Sequence, residues 1–375
     1  MRIAVNTRML IKGKMEGIGY FTMETLKRMT ASHPEHDFLF IFDRAFDSEF
    51  LFSDNVKGVH IFPPARHPLL WYCWYEWSLP LLLRKHKPDL FIGTDGYMPG
   101  KTSVPGIAVI HDLNFEHYPQ DLPFFNRAFY RYYFQRYARR ARRIAAVSNF
   151  TKNDIASTYR MEADKIDVVY NGVSPLFSPL PEAEILATRN KFSDGRPYFL
   201  HVGALHQRKN IAGLLKAFDG FKQRNDCPVV LLLAGQKRWW TDEMESVYQS
   251  MKFREDVIFT GRLSEEDLRR VTASALALAY VSWFEGFGIP IVEAMRSGVP
   301  VITSNVTSMP EVAGDAALLC DPFSIESISE SMTKIWADPA LRKKLVDKGL
   351  ERQKMFSWEN TAHALWKTVE KTIDS

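Results

Sequence analysis

Short apolar runs alternate with longer amphipathic stretches along almost the whole chain. That alternation is the signature of parallel strands joined by helical crossovers, because strands covered by helices on both faces read as continuous apolar runs. In the first half the strand candidates are Arg2–Asn6, Asp37–Phe42, Asp89–Ile92, Gly106–His111, Arg143–Val147 and Ile166–Val169. In the second half they are Tyr198–Val202, Val229–Ala234, Val257–Phe259, Leu276–Tyr280, Pro300–Thr303 and Ala317–Leu319. Helical periodicity lies between them, as in Ile211–Arg224 with Leu214, Leu215, Phe218 and Phe221 on one face. A length of 375 residues implies two domains at about 150 residues each. The rhythm breaks at Asn171–Gly195, where Gly172, Pro175, Pro179 and Pro181 suggest a linker with a short helix. The expectation is an α/β protein of two doubly wound, Rossmann-like domains facing each other across a cleft, residues 1–173 and 174–356. A last helix, Ser357–Ile373, has no strand after it and is expected to cross back to the first domain.

Composition narrows the class. With 46% hydrophobic and 25% charged residues, the chain is neither disordered nor fibrous. Cys73, Cys227 and Cys320 are too few and too scattered for a disulfide framework or a zinc site, and they suit a reduced cytosolic compartment. The start reads as a strand broken by Arg8 and Lys12 rather than as a signal peptide. The apolar stretch Val271–Phe284 is too short for a bilayer, which needs roughly 20 residues. Charge is uneven: Arg127, Arg131, Arg136, Arg139, Arg140, Arg142, Arg143 and Lys152 lie between Asp121 and Asp154 with no acid among them. Without these eight, the 48 basic residues fall to 40 against 44 acids, so the rest of the chain is net negative. Such a patch seeks an anionic surface.

The richest motif is the segment Tyr280–Met295, where an apolar strand ends near Glu285 and a glycine-flanked loop leads to Pro290 and Glu293. Proline fits a first helical turn, where its missing N–H costs nothing. Gly286 and Gly288 let backbone approach a ligand, and the helix start with Phe287 and Ile289 offers N–H groups to a phosphate. Two carboxylates flanking it suit sugar hydroxyls. The plainer reading is a strand–turn–helix with two solvated glutamates. A second motif, Gly203–Asn210, puts Arg208 and Lys209 on a loop at the carboxyl edge of a parallel sheet. Two fixed cations there can neutralise a diphosphate leaving group, although a lone basic pair is usually solvated surface. A third, Gly17-Ile-Gly19, resembles a dinucleotide fingerprint only superficially: Thr22 replaces the third glycine and some ten residues separate it from the strand. A flexible loop facing the cleft is expected there. A fourth, His111-Asp112, ends a first-domain strand on the same edge.

Together these motifs resemble the retaining glycosyltransferases of family four, which have the GT-B fold. The resemblance rests on Glu285 and Glu293 with seven residues between them, beginning Gly-Phe-Gly-Ile-Pro, the Arg-Lys-Asn loop, His111-Asp112, Val147-Ser-Asn-Phe, Tyr170-Asn-Gly-Val and Ser308–Gly314. It implies that Glu293 holds the ribose of a nucleotide sugar, that Glu285 and Gly286–Gly288 hold the sugar and diphosphate, that Lys209 and Arg208 stabilise the departing nucleotide, and that His111 contacts the sugar near its 6-hydroxyl. Many members carry arginine where this chain has Ala204, so Arg208 is the candidate for the second cation.

The activity so implied is retaining transfer of a hexose from GDP-mannose or UDP-glucose to a glycan or lipid-linked acceptor, in assembly of a surface polysaccharide or glycolipid. A non-catalytic sugar-nucleotide-binding protein and a nucleotide-sugar 2-epimerase are the alternatives. A phosphorylase lacks a recognisable lysine context for its cofactor, and a nicotinamide dehydrogenase ranks behind both. No Asp-x-Asp occurs, so no metal and no cofactor is expected. Arg136, Arg139, Arg140 and Arg143 fall in one stripe if a helix runs through Phe125–Arg142. Phe124, Phe125, Phe129, Tyr130, Tyr132, Tyr133, Phe134 and Tyr137 surround it, with Trp71–Trp77 upstream. Lipid headgroups suit that combination better than nucleic acid does. The expected location is cytoplasmic, peripheral to the inner membrane face; the competing reading makes the aromatics core and the arginines solvated.

Overall fold

A computed structural model describes residues 1–65 and 67–374. The chain forms two compact units, Met1–Gly172 with Trp358–Ser375, and Val173–Ser357. The first holds seven parallel strands: β1 (Arg2–Asn6), β2 (Asp37–Phe42), β3 (Val56–His60), β4 (Leu90–Gly93), β5 (Gly106–Ile110), β6 (Arg143–Ala146) and β7 (Ile166–Val168), in the order β3-β2-β1-β4-β5-β6-β7. The second holds six: β8 (Tyr198–Val202), β9 (Val230–Ala234), β10 (Val257–Phe259), β11 (Ala277–Tyr280), β12 (Val301–Ser304) and β13 (Leu318–Cys320), in the order β10-β9-β8-β11-β12-β13, again all parallel. In each sheet the strand order reverses beside its first strand, between β1 and β4 and between β8 and β11. Such switch points leave a crevice at the carboxyl ends of the strands, where open α/β folds bind ligands.

The pleat explains why the strands are apolar throughout. In β1, Ile3 and Val5 face one core with Phe21, Phe40 and Leu365, while Ala4 faces the other with Trp74, Phe91 and Ile144. The first of these faces is covered by the last helix, Trp358–Asp374, which lays Trp358, Ala362, Leu365, Trp366 and Val369 along one side. Arg28 Nε donates to Glu359 Oε1 at 2.7 Å, and Thr361 Oγ1 donates to Tyr170 O at 2.7 Å.

Three features depart from the sequence reading. Strand β3 is absent from it; a partly exposed edge strand, Val-Lys-Gly-Val-His lacks the apolar run of its neighbours. Gly17 and Gly19 are not a loop but the first turn of the helix Gly17–Ser32, and a Cβ on Gly19 would stand 2.8 Å from Met9 O, so that glycine answers to close packing. The basic helix is Phe124–Arg140: Ala141 turns away with ψ 133°, and Arg143 becomes the first residue of β6. Its guanidinium pairs with Asp167 at 2.7 Å and donates to Asp164 O at 2.7 Å. The expected stripe of four arginines is therefore three, Arg136, Arg139 and Arg140.

Candidate active site

The second unit gathers its chemistry at the β8/β11 switch. After β8, Gly203 (φ 135°) opens the loop that carries Arg208 and Lys209 in a single 3-10 turn. Asn210, left-handed at φ 56°, donates from Nδ2 to Val281 O (3.2 Å) and Pro322 O (2.7 Å), and Trp283 N donates to Arg208 O at 2.9 Å. These bonds tie the loop to the segment that follows β11. Both cations then converge on one carboxylate: Lys209 Nζ lies 2.5 Å from Glu285 Oε1, and Arg208 Nη1 lies 3.2 Å from Oε2. Lys209 also donates to Tyr280 Oη at 2.8 Å.

The main chain that carries this carboxylate is held by residues to which the sequence reading gave no role. Ser308 Oγ donates to Glu285 O (2.8 Å) and Phe287 O (3.1 Å), and Thr307 Oγ1 accepts from Glu285 N (3.3 Å). Burial alone would raise the Glu285 carboxyl, but Lys209 and Arg208 overrule it and hold it at about 2. The carboxylate is thus ionised at any working pH.

Gly286 is buried, and Gly288 adopts φ 96° as it caps the helix Ile289–Arg296, with Pro290 in its first turn. The Phe287 ring packs edge-on against Phe356 at 5.5 Å, so it is core, and any ligand contact there falls to its main chain. Glu293, one turn into this helix, is half-buried; desolvation, with Glu265 nearby, lifts its carboxyl to about 7. Beneath the cations lies fully buried His201, pushed down to about 4 by burial and by Lys209, so it is neutral.

The first unit builds a second polar cluster at its own switch. Arg8, two residues beyond β1, lays Nε 2.5 Å from buried Asp95 Oδ2 and stacks 5.0 Å over the Tyr97 ring. Asn6 Nδ2 donates to Asp95 Oδ1 and to Tyr75 Oη, both at 2.9 Å, and Tyr75 Oη donates on to Asp95 Oδ2 at 3.2 Å. His111, after β5, is half-buried with Nε2 2.9 Å from Thr94 O. Burial lowers its pKa, so the ring is neutral; Nε2–H then donates to that carbonyl and Nδ1 is left as an acceptor. Sequence reasoning found His111 and missed Arg8 and Asp95, which are 87 positions apart and meet only through the pairing of β1 with β4.

Among the described residues, the grouping of His, Cys, Asp and Glu side chains close enough to hold a metal is His33, Glu35 and His36, remote in sequence from both clusters.

Two family descriptions match the chain in tandem: "Glycosyltransferase Family 4" over residues 15–175 and "Glycosyl transferases group 1" over residues 183–352. An O-antigen chain mannosyltransferase B from Escherichia coli is 28% identical over 370 residues, covering 93% of this chain and 94% of that protein. Among solved structures, sucrose-phosphate synthase from Thermosynechococcus elongatus superposes with a TM-score of 0.79 at 18% identity, covering 99% of this chain and 98% of that one. The Anabaena protein HepE, solved with UDP-glucose, gives 0.75 at 17% identity, covering 99% and 100%. With both sheets, both switch points and both halves of the family pattern in place, the chain belongs to the family-four glycosyltransferases and has the GT-B fold.

Proposed function

We propose that the protein is a retaining hexosyltransferase that uses a nucleotide diphosphate sugar and acts on a glycan or lipid-linked glycan in polysaccharide or glycolipid assembly. The observation that carries this reading is the convergence of Arg208 and Lys209 on Glu285, beside the helix start at Gly288–Ile289. In the donor-free site the carboxylate occupies both cations; a diphosphate, with more negative charge, would take them over. Glu293 would accept from the ribose hydroxyls, and Glu285 and the Gly286–Gly288 backbone would meet the sugar. The E. coli relative is by name a mannosyltransferase, which favours GDP-mannose over the UDP-glucose of the more distant Anabaena structure.

In the proposed reaction the bond from the sugar anomeric carbon to phosphate oxygen breaks while the acceptor hydroxyl oxygen bonds that carbon from the same face. The acceptor proton passes to the leaving phosphate. Arg208, Lys209 and the helix dipole would supply the charge stabilisation that a divalent metal supplies elsewhere. Neutral His111 is offered, through Nδ1, to a sugar hydroxyl.

Peripheral contact with an anionic leaflet is proposed for access to the acceptor. Phe124, Phe125, Tyr132 and Trp77 are all more than half exposed, beside the exposed Arg136, Arg139 and Arg140. A cavity of about 800 Å³ in the same unit is lined by Arg84, Lys87, Lys101 and Arg140. Each such cation near an anionic leaflet contributes about 1 kcal/mol. Among the described residues no helix is long and apolar enough to cross a membrane.

A thermal-shift panel of nucleotide sugars tests the donor assignment. A ligand at 100 times its Kd stabilises by about 2.7 kcal/mol. GDP-mannose is expected to shift the melt and Lys209→Ala to reduce the shift without abolishing it; no response to any nucleotide sugar refutes the reading. A shift without donor turnover in the presence of acceptor would mark a non-catalytic binding protein.

A further inference from the structure

The turn between the helix Gly17–Ser32 and β2 reads His33-Pro-Glu-His36, a segment that glycosyl transfer leaves unused. It is pinned. His36 N donates to His33 O at 3.2 Å, and Asn55 Nδ2 is shared among Thr30 O, His33 O and His36 O at 3.2, 3.1 and 3.0 Å. The first and fourth side chains of the turn therefore stand side by side, their rings 6.1 Å apart and only 7° from parallel. Trp366 of the last helix stacks on both, 3.5 Å from His33 and 5.2 Å from His36, which fixes the ring planes. Between them Glu35 Oε1 lies 3.5 Å from His33 Nδ1 and 3.3 Å from His36 Nε2. One donor atom from each side chain falls within 4.8 Å of the other two.

The two separations from Glu35 match the edge of a coordination polyhedron, and the two histidine nitrogens lie within 4.8 Å of each other. A tetrahedral centre with bonds of about 2.0–2.1 Å holds its ligand atoms about 3.4 Å apart. Two imidazoles and one carboxylate suit a borderline divalent ion and not calcium or magnesium, which take oxygen ligands. Hydrogen bonding and ring stacking have already ordered the ligands, so little is lost on binding.

We propose that His33, Glu35 and His36 form a surface zinc site whose fourth position is open to water. The site sits at the amino end of β2, whereas the His111 and Arg8 cluster of the same unit sits beyond strand carboxyl ends. The ion accordingly acts on stability, tying the turn to the last helix through the His33–Trp366 stack, and takes no part in transfer.

Zinc binding by the metal-free full-length chain, measured by competition with a chromophoric chelator, tests this against His33→Ala, His36→Ala and Glu35→Gln. Wild type is expected to bind one equivalent more than either histidine variant, and Glu35→Gln to bind about tenfold or more weakly. Zinc should raise the melting temperature of wild type and leave both histidine variants unmoved. Cobalt should give a ligand-field absorption that the histidine variants lose. Equal zinc stoichiometry and affinity in wild type and both histidine variants would overturn the proposal. If the alanine variants do not fold, unchanged zinc affinity in Glu35→Gln overturns it alone.

Discussion

Replacing Glu293 by glutamine should stabilise the donor-free protein above neutral pH while weakening its hold on the donor. The Glu293 carboxyl is raised from 4.5 to about 7, chiefly by desolvation. At 1.36 kcal/mol per unit, that displacement is about 3.4 kcal/mol, and partial exposure trims it to about 2–3 kcal/mol. The folded state keeps a proton that the unfolded chain releases, so the charged carboxylate penalises folding. The penalty is absent below about pH 4.5, grows as the pH rises, and is complete above about pH 7. Glutamine keeps the shape and removes the charge. In thermal melts without nucleotide, the variant should exceed wild type by about 5–10 °C near pH 8 and by only about 1–2 °C near pH 5, using roughly 2–4 °C per kcal/mol. The same carboxylate should accept hydrogen bonds from the donor, so wild-type donor affinity should fall by up to about tenfold per pH unit below its pKa. Glutamine should remove most of that pH dependence. A stability gap of equal size at both pH values would mean that packing, not buried charge, distinguishes the two side chains.

Lys209→Ala should lower turnover by about 10² to 10³ with saturating donor, since it removes a cation aimed at the leaving diphosphate; retention of a third of wild-type turnover would remove that role. Arg208→Ala should match it if Arg208 replaces the arginine missing at Ala204, and a negligible effect would leave Lys209 acting alone. EDTA should leave turnover unchanged, measured as nucleotide release with acceptor present; loss of activity restored by magnesium or manganese would contradict the metal-free chemistry. An Arg136/Arg139/Arg140→Ser variant should sediment less than wild type with anionic liposomes at low salt. Equal sedimentation would make the patch ordinary surface.

The sheets were legible because nearly every buried strand is an apolar run bounded by turn residues, and the all-parallel order follows from the helices between them. What was illegible had local causes. β3 carries Lys57 and Gly58 in place of an apolar run and lies at the edge of the sheet. The end of the basic helix depends on Ala141, an ordinary helix former whose backbone is turned by the entry into β6. In the site, Glu285, Glu293, Arg208 and Lys209 announced themselves because each lies in a short, dense motif. Arg8 and Asp95, which build the first unit's own cluster, did not, because they meet only through strand order; Thr307 serves Glu285 through a main-chain contact, and Ser308 showed in the sequence only as the head of a family-like segment without a role. The pKa of Glu293 belongs to the same class: it comes from what buries the carboxyl, and no spacing encodes burial.

The discontinuous first unit has a consequence for the order of events on the ribosome. Residues 1–172 emerge first, yet the helix that covers Phe21, Ile3 and Val5 is translated only after the entire second unit. At about 5–20 residues per second, the intervening 173–357 segment occupies roughly 10–40 s. During that interval the nascent first unit shows an uncovered apolar face, and the second unit, continuous in sequence, is the first that can finish folding. The newly made chain is therefore most in need of a holding chaperone in the middle of its own synthesis, and a stop codon just before Trp358 would make that need permanent.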